Sequence, residues 1–297
     1  MEKIIDLHIH TNKSDGALSP KEVIDNAYKN GVSIISIADH DTIEAYTDEL
    51  FEYAKEKNIE IIPAVEISTK INKCGIHVLG YNFNLDDKEL ITKLKKLRNA
   101  RHDYLYNVAN KLNELGYIVN LKELDKIEAV TKAHIALDIV NNKDNEELLL
   151  KEFNHIPNKG EFIETIMNEN CPAYVKKETI TPFEASILIK NAGGKVILAH
   201  PVAYKNEDNL SNEDIFKLIN DMKADGIESN YIYINKDNNK IDECNFWNEF
   251  AKNNNLITTI GSDFHVSDGI HAEIGLTNEV INLNKKEVNK IITNLLN

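Results

Sequence analysis

Seven short runs rich in β-branched residues punctuate the chain: KIIDLHI, VSIISIA, IEIIPAVEI, GIHVLGYNF, KVILA, GIESNYI and LITTIG. Most are nearly continuous in apolar residues, the pattern of strands buried on both faces in a parallel sheet. Between most of them the pattern becomes helical. Ser19-Pro20-Lys21-Glu22 predicts a capping box with proline at the first helical position, and Gly31 closes that helix. Thr181-Pro182-Phe183-Glu184 repeats the device, with Gly193 and Gly194 at the far end. The alternation predicts an α/β domain of barrel type.

One region breaks the rhythm. From about residue 86 to 176 the pattern is helical, with almost no strand signal. DDKELITKLKKLRNARHDYLYNVANKLNELG reads as one long amphipathic helix ended by Gly116, and LKELDKI, KAHIALDIV, NEELLLKEF and GEFIETIMNE follow it. The predicted organisation is a barrel domain over 1–85 and 177–297, interrupted by a helical insertion domain over 86–176. No internal repeat or low-complexity linker is evident, and the abundant asparagines read as loop composition.

Composition narrows the function classes. Hydrophobic residues make up 42% of the 297, enough for a substantial core. No apolar run reaches 18 residues, so no membrane span is expected. MEKIIDLHIH is too short and too interrupted, by Asp6 and His8, for a signal peptide. Cys74, Cys171 and Cys244 are far apart and suggest neither a disulfide framework nor a zinc knuckle. A cytoplasmic location is the expectation. The formal net charge of −14 argues against duplex nucleic acid as a partner. Bound divalent cations would offset carboxylates locally, so a small anion could still enter a metal-lined pocket.

The polar residues supply the chemistry. If Ile4 to Ile9 is a strand, its side chains alternate, and His8 and His10 share a face. Such a pair is either surface polarity or two ligands to one metal, and the other strands decide between these. The second run leads into Ala38-Asp39-His40-Asp41, the third ends at Glu66, and the fourth carries His77 near its start. The fifth ends in Ala199-His200-Pro201, the sixth carries Glu228, and the seventh leads into Gly261-Ser262-Asp263-Phe264-His265. Active sites in barrels of alternating strands and helices form at the strands' C-terminal ends. Six of the ten histidines lie on strands or their ends, and His134 lies on a helix of the insertion. Any one of these would read as a satisfied core histidine or a cap. Buried together without cations they would cost several kcal/mol each. The set therefore predicts a metal cluster, and mixed imidazole and carboxylate donors suit zinc, manganese or iron better than calcium.

DLHIHTNKSDG, IADHDT, the glutamate of AVEIS, HVLGY, KAHIA, LAHP and GSDFH, in that order from residue 6 to 265, resemble the polymerase and histidinol phosphatase (PHP) family. The resemblance implies a distorted seven-stranded β/α barrel with a trinuclear metal site. One ion would take His8, His10, Glu66 and Asp263. A second would share Glu66 and add His77 and His134. A third would take Asp15, His40 and His265. It implies two or three divalent ions: manganese, iron or zinc, with magnesium also compatible. His200 would contact the phosphate or the leaving oxygen, and His200 and Asp263 are the expected catalytic residues.

The insertion, with NCPAYVKKETITPFEASILIKNAGGKVILAHP, resembles the family's nucleotide-phosphatase branch. That branch removes the 3′-phosphate of nucleoside 3′,5′-bisphosphates, and related members trim short RNA from its 5′ end. The implied partner is a small phosphorylated nucleotide or short oligonucleotide. Lys132 stands where relatives often carry a substrate-binding arginine, and Val202-Ala203-Tyr204 stands where they often carry another. These departures bear on the substrate and leave the metal ligands intact.

A further signal comes from the residues alone. Of 34 basic residues only Arg98 and Arg101 are arginines. At i and i+3 they share a helix face. A guanidinium fork binds phosphate bidentately and lysine does not, so the pair is expected to bind substrate phosphate. The plain alternative is a solvated face with Asp103 as partner.

The expected reaction is attack on phosphorus by a metal-activated hydroxide, with cations carrying the developing charge. His200 would either protonate the leaving group or orient the phosphate. A metal-dependent amidohydrolase shares the first HxH, but GSDFH argues against it. A histidinol phosphatase would share the metals without needing the arginine-bearing insertion. A non-catalytic metal-binding module would be expected to have lost ligands.

Overall fold

The computed structural model describes residues 4–127, 130–176, 178–235, 237–277, 281 and 283–297. Lys3, the first residue of the opening run, and Lys177, the first of the second expected barrel segment, lie outside the described residues. In chain order the elements are β1 (Ile4–Ile9), α1 (Pro20–Lys29), β2 (Val32–Ile37), α2 (Asp48–Glu56), β3 (Glu60–Ile61), β4 (Ala64–Ile71), β5 (Cys74–Tyr81) and α3 (Lys88–Glu114). Then come α4 (Leu121–Leu124), α5 (Lys132–Asn141), α6 (Glu146–Phe153), α7 (Lys159–Phe162), α8 (Pro182–Asn191) and β6 (Lys195–Leu198). The chain continues with α9 (Pro201–Glu207), α10 (Asn212–Asp221), β7 (Gly226–Asn230), β8 (Ile232–Ile234), β9 (Lys240–Asp242), α11 (Cys244–Asn253), β10 (Ile257–Ile260) and α12 (Lys285–Leu296). No described helix is long and apolar enough to cross a membrane.

The chain divides into two units, Met1–Leu94 with Ile180–Asn297, and Lys95–Thr179. The division falls inside α3. Glu89 and Lys93 on its first turns line a groove with Glu184, Ile187 and Leu188 of α8, which keeps the start of that helix with the first unit.

Local signals account for the helix ends. Ser19 accepts from the backbone of Glu22, whose carboxylate accepts the Ser19 N–H at 2.8 Å. Thr181 and Glu184 form the same box, closed at 2.7 Å. Each box satisfies two N–H groups that a helix start leaves without partners.

The strands of the first unit form two main sheets and a ribbon. The order β1-β2-β3 is all parallel. In the order β10-β7-β6-β5-β4, the first three strands are parallel, while β5 runs antiparallel to both β6 and β4. β8 and β9 pair separately. The α/β class is the one expected; the pairing is mixed where a parallel sheet was expected. The run IEIIPAVEI divides at Pro63 into β3 and β4, because proline cannot donate to a ladder. β4 and β5 then form a tight hairpin with Asn72, at φ 53°, in its turn. His77 is the fourth residue of β5, opposite Ser68. The two main sheets meet through bridges Ile9↔Phe264 and His40↔Glu66, at the end where the polar residues lie.

Ile5, Leu7, Ile34, Leu79, Ile197 and Ile260 of the two sheets pack together, with Val288, Ile291 and Leu295 of α12 against them. Ile35 and Ile37 meet Ile24 of α1 and Leu50 of α2 in a second layer. This apolar packing holds the strand ends in place.

The second unit has its own core: Leu105, Val108 and Leu112 of α3, Ile135 and Ile139 of α5, and Phe162 of α7. Asn145 is buried there, accepting the Ile118 N–H at 2.7 Å and donating to Ile118 O at 3.0 Å. The expected helix over LKELDKI is the single turn α4, and GEFIETIMNE runs from α7 into a wider π turn at Ile163–Met167.

Candidate metal centre

The β1-β2-β3 sheet brings His8 from β1, His10 just beyond it, Asp15 from the following loop and His40 from the segment after β2. The other main sheet brings Glu66 from β4, His77 from β5, His200 from the end of β6, and Asp263 and His265 from the turn after β10. Backbone bonds between these segments fix their approach. His10 N–H donates to Phe264 O at 2.9 Å, Asp263 N–H to His8 O at 2.8 Å, and Asp41 N–H to Glu66 O at 2.9 Å.

Glu66 lies at the middle of this cluster. Its Oε2 is 3.3 Å from His8 Nε2, 3.2 Å from His10 Nε2 and 3.2 Å from His40 Nδ1. Its Oε1 is 3.1 Å from His77 Nδ1 and 3.2 Å from His200 Nε2. Asp263 Oδ1 stands 3.1 Å from His10 Nε2 and 3.4 Å from His8 Nε2. Asp15 reaches His265 Nε2 at 3.4 Å, His10 Nδ1 at 3.5 Å and His40 Nε2 at 3.6 Å.

Among the described residues three groups of donor atoms lie within 4.8 Å of one another: His8, His10, Glu66 and Asp263; His40, Glu66 and His77; and His10, Asp15, His40 and His265. The groups share His10, His40 and Glu66. Against the three sets the resemblance implies, His10 also joins the Asp15 group, and His40 also stands with Glu66 and His77.

Other acids hold these side chains in place. Glu228, buried on β7, receives His8 Nδ1 at 3.0 and 3.2 Å on its two oxygens, and its Oε2 also accepts the His200 N–H at 2.9 Å. Asp39 accepts the Thr11 N–H, the Thr11 hydroxyl and the Ser14 hydroxyl, each at 2.7 Å, and so shapes the loop carrying Asp15. Asp6 accepts the Ser262 N–H at 3.0 Å and the Gly275 N–H at 2.8 Å, steadying the turn that carries Asp263. Two glycines are required by space. A Cβ on Gly261 would lie 2.2 Å from His8 Cβ and 2.6 Å from Glu228 Oε1, and one on Gly16 would lie 2.4 Å from His10 O. Sequence reading placed Glu228 on its strand without a role and gave none to Asp6 or Asp39. Their signal is only an acid inside an apolar strand or at its end.

The electrostatics fit a cation. Burial alone would lower the pKa of His8, but the carboxylates of Glu228, Glu66 and Asp263 outweigh it and hold the imidazole well above its ordinary value. Burial likewise opposes charge on His10, and hydrogen bonds to Asp263 and Glu66 push it up to about 10. Burial dominates at His40 and pulls it down to about 3, despite Asp15 and Glu66. Glu66, Asp15 and Asp263 are held below the usual carboxylate range, their burial outweighed by the surrounding imidazoles. These buried carboxylates demand positive charge, which protons or cations can supply. Ring nitrogens and carboxylate oxygens facing one another at 3.1–3.6 Å form the donor set of a borderline transition-metal site, so the residues fit divalent ions.

His200 shares Glu66 Oε1 with His77 and sits at φ 21°, ψ 62°. Its Nδ1 is buried and has no hydrogen-bond partner among the described residues. His134, Arg98, Arg101 and Lys132 belong to the second unit. His134 is the third residue of α5, and its Nδ1 accepts the Thr131 N–H at 3.1 Å. Lys132 donates to Asn168 Oδ1 at 3.1 Å. Arg101 is 5% exposed, so it is not part of a solvated helix face.

Residues 6–180 match the family model described as the PHP domain. The chain is 34% identical over 275 residues to a 5′-3′ exoribonuclease of Haemophilus influenzae, covering 91% of this chain and 92% of that protein. It is 26% identical over 283 residues to a 3′,5′-nucleoside bisphosphate phosphatase of Chromobacterium violaceum, covering 93% and 92%. A solved structure from Bifidobacterium adolescentis, described as a metal-dependent phosphoesterase, superposes with a TM-score of 0.72 at 20% identity, covering 99% of this chain and 97% of that one. That likeness speaks to the fold.

Proposed function

This chain belongs to the PHP domain family, and from that premise we propose that it cleaves a phosphate ester on the 3′ oxygen of a 5′-phosphorylated nucleotide. It is a metal-dependent phosphoester hydrolase; the nucleotide and the position of the ester are the proposal. A nucleoside 3′,5′-bisphosphate presents that ester as a terminal phosphate. A short 5′-phosphorylated RNA presents it as the first linkage. The same attack on phosphorus, with the 3′ oxygen leaving, would serve both, and relatives named for each activity align over most of the chain.

The observation that carries the reading is Glu66, whose carboxylate stands in two donor groups at once. His8, His10, Glu66 and Asp263 would hold one ion. Glu66, His40 and His77, with His134 as a further expected ligand, would hold a second. His10, Asp15, His40 and His265 would hold a third. Divalent ions held there would lower the pKa of water enough to supply hydroxide near neutral pH and would offset charge on phosphoryl oxygens. Zinc, manganese or iron suits these donors, with magnesium also compatible.

The chain's own residues do the rest. His200 keeps its Nε2 on Glu66 and its unbonded Nδ1 for a phosphoryl or leaving oxygen. Burial opposes charge on it, and the Glu66 hydrogen bond raises its pKa above the ordinary value; a proton carried there would serve the leaving 3′ oxygen. Arg98 and Arg101 would clamp the 5′-phosphate that is not cleaved, with Lys132 as an added cation. The net charge of −14 disfavours long polyanions and leaves a short, singly docked nucleotide as the fitting substrate.

The test is phosphate and nucleotide release from a panel: a nucleoside 3′,5′-bisphosphate, the matching 5′-monophosphate, a 5′-phosphorylated trinucleotide and histidinol phosphate. The bisphosphate and the trinucleotide should both turn over well ahead of the others. Faster turnover of histidinol phosphate would move the chain to the other phosphatase branch of the family.

A further inference from the structure

Glu228 is a buried carboxylate outside all three donor groups, and both of its oxygens are spoken for. Oε1 lies 3.0 Å from His8 Nδ1. Oε2 lies 3.2 Å from the same nitrogen and accepts the His200 backbone N–H at 2.9 Å. The rings of His8 and His200 lie nearly parallel, 16° apart with centroids separated by 6.0 Å. Gly261 leaves room for this contact, since a Cβ there would lie 2.6 Å from Glu228 Oε1.

An imidazole that gives a lone pair to a cation through one nitrogen must carry its proton on the other. His8 turns Nε2 toward Glu66, Asp263 and His10, and turns Nδ1 toward Glu228. A carboxylate accepts and cannot donate, so it selects the tautomer with hydrogen on Nδ1. The His200 N–H is held at a positive φ that non-glycine residues rarely adopt, and needs a fixed acceptor to stay there.

We propose that Glu228 is a positioning residue: one oxygen fixes His8 with its Nε2 lone pair turned into the metal centre, and the other pins the strained backbone of His200. The proposal rests on reading the cluster as a metal centre.

Glutamine is the discriminating replacement. It keeps the shape but has one accepting oxygen and one donating NH₂ group. With its oxygen at the place of Oε2 it still accepts from the His200 N–H, but its NH₂ group then faces the Nδ1–H of His8; turned the other way, the NH₂ group faces the His200 N–H. The experiment measures zinc binding to the full chain by chelator competition for wild type, Glu228→Gln, Glu228→Asp, His8→Ala and the His8→Ala/Glu228→Gln double variant. Thermal unfolding of each in excess chelator reports the fold without metal. Glu228→Gln should keep a cooperative transition and bind the ion at His8 about 10- to 100-fold more weakly. In the His8→Ala background the same change should cost no further affinity, because Glu228 then has no imidazole to orient. Zinc-loaded wild type labelled with ¹⁵N-histidine should show a protonated Nδ1 at His8, and this signal should move in Glu228→Gln.

Equal zinc affinity in wild type and Glu228→Gln, or a full additive loss in the double variant, would overturn the proposal alone. Absence of tight zinc or manganese binding by wild type would overturn the metal reading and this proposal with it. If Glu228→Gln does not fold, Glu228→Asp carries the test: it keeps two acceptors on a shorter arm, and unchanged affinity there would also refute the role.

Discussion

Nε2 of His8 lies 3.1 Å from Nε2 of His10. Two ring nitrogens at that distance share a proton or a cation. Glu66 and Asp263 approach the same pair at 3.1–3.4 Å, so the space between the rings is lined by lone pairs from four side chains. Charge in that space stabilises the fold as well as the chemistry.

Metal should therefore stabilise the fold. At free metal near one hundred times Kd, a bound ion adds about 2.7 kcal/mol to stability. Thermal unfolding with excess zinc or manganese should occur several degrees higher than in chelator. Identical transitions in both conditions, with only trace metal by elemental analysis, would refute a structural metal centre.

The shared ligand should matter more than an unshared one. Glu66 stands in two donor groups and Asp15 in one. Glu66→Gln should lower bound metal per chain further than Asp15→Asn, and should abolish phosphoester hydrolysis where Asp15→Asn leaves a residue of it. Equal metal content in the two variants would mean that Glu66 does not bridge.

Asp39 tests the support beneath the Asp15 group. Its carboxylate holds Thr11 and Ser14 by three bonds of 2.7 Å, and Asp15 follows directly. Asp39→Ala leaves a buried N–H without its partner, at a cost of about 1–3 kcal/mol. It should lower the unfolding temperature and loosen the Asp15 ion first. Unchanged stability would show the loop to be held by other contacts.

Gly261 is a test of space. Alanine would place its Cβ 2.2 Å from His8 Cβ. Overpacking of this kind costs about 1–3 kcal/mol, and here it displaces a donor. Gly261→Ala should lose both thermal stability and zinc affinity, and retention of wild-type affinity would show that His8 can shift without consequence.

The arginine pair is checked by substrates. If Arg98 and Arg101 clamp the uncleaved phosphate, alanine variants should lose about tenfold to a hundredfold in kcat/KM toward a 3′,5′-bisphosphate, since a charge-assisted contact is worth roughly 1.5–3 kcal/mol. A 3′-monophosphate should be affected much less, metal content should not change, and lysine should restore only part. Because Arg101 is buried, unfolding temperatures of each variant accompany the kinetics. Equal losses on both substrates would mean that the pair does not read the second phosphate.

The sequence by itself determined the local structure. The apolar runs marked the strands of the two main sheets, though not the β8–β9 ribbon, Ser19–Glu22 and Thr181–Glu184 marked two helix starts, and Gly116 marked the end of α3, because caps and periodicity act within a few residues. It also showed that imidazoles and carboxylates gather at strand ends. Tertiary structure decided which of them meet. His8 finds Glu228 across 220 residues, Asp6 reaches Gly275 across 269, and His200 reaches Glu66 across 134. It also decided that β5 runs antiparallel to both β4 and β6 and that the donor groups share His10, His40 and Glu66. Strand direction and partner choice are set by packing between distant segments, and a single chain's local pattern carries no record of that packing.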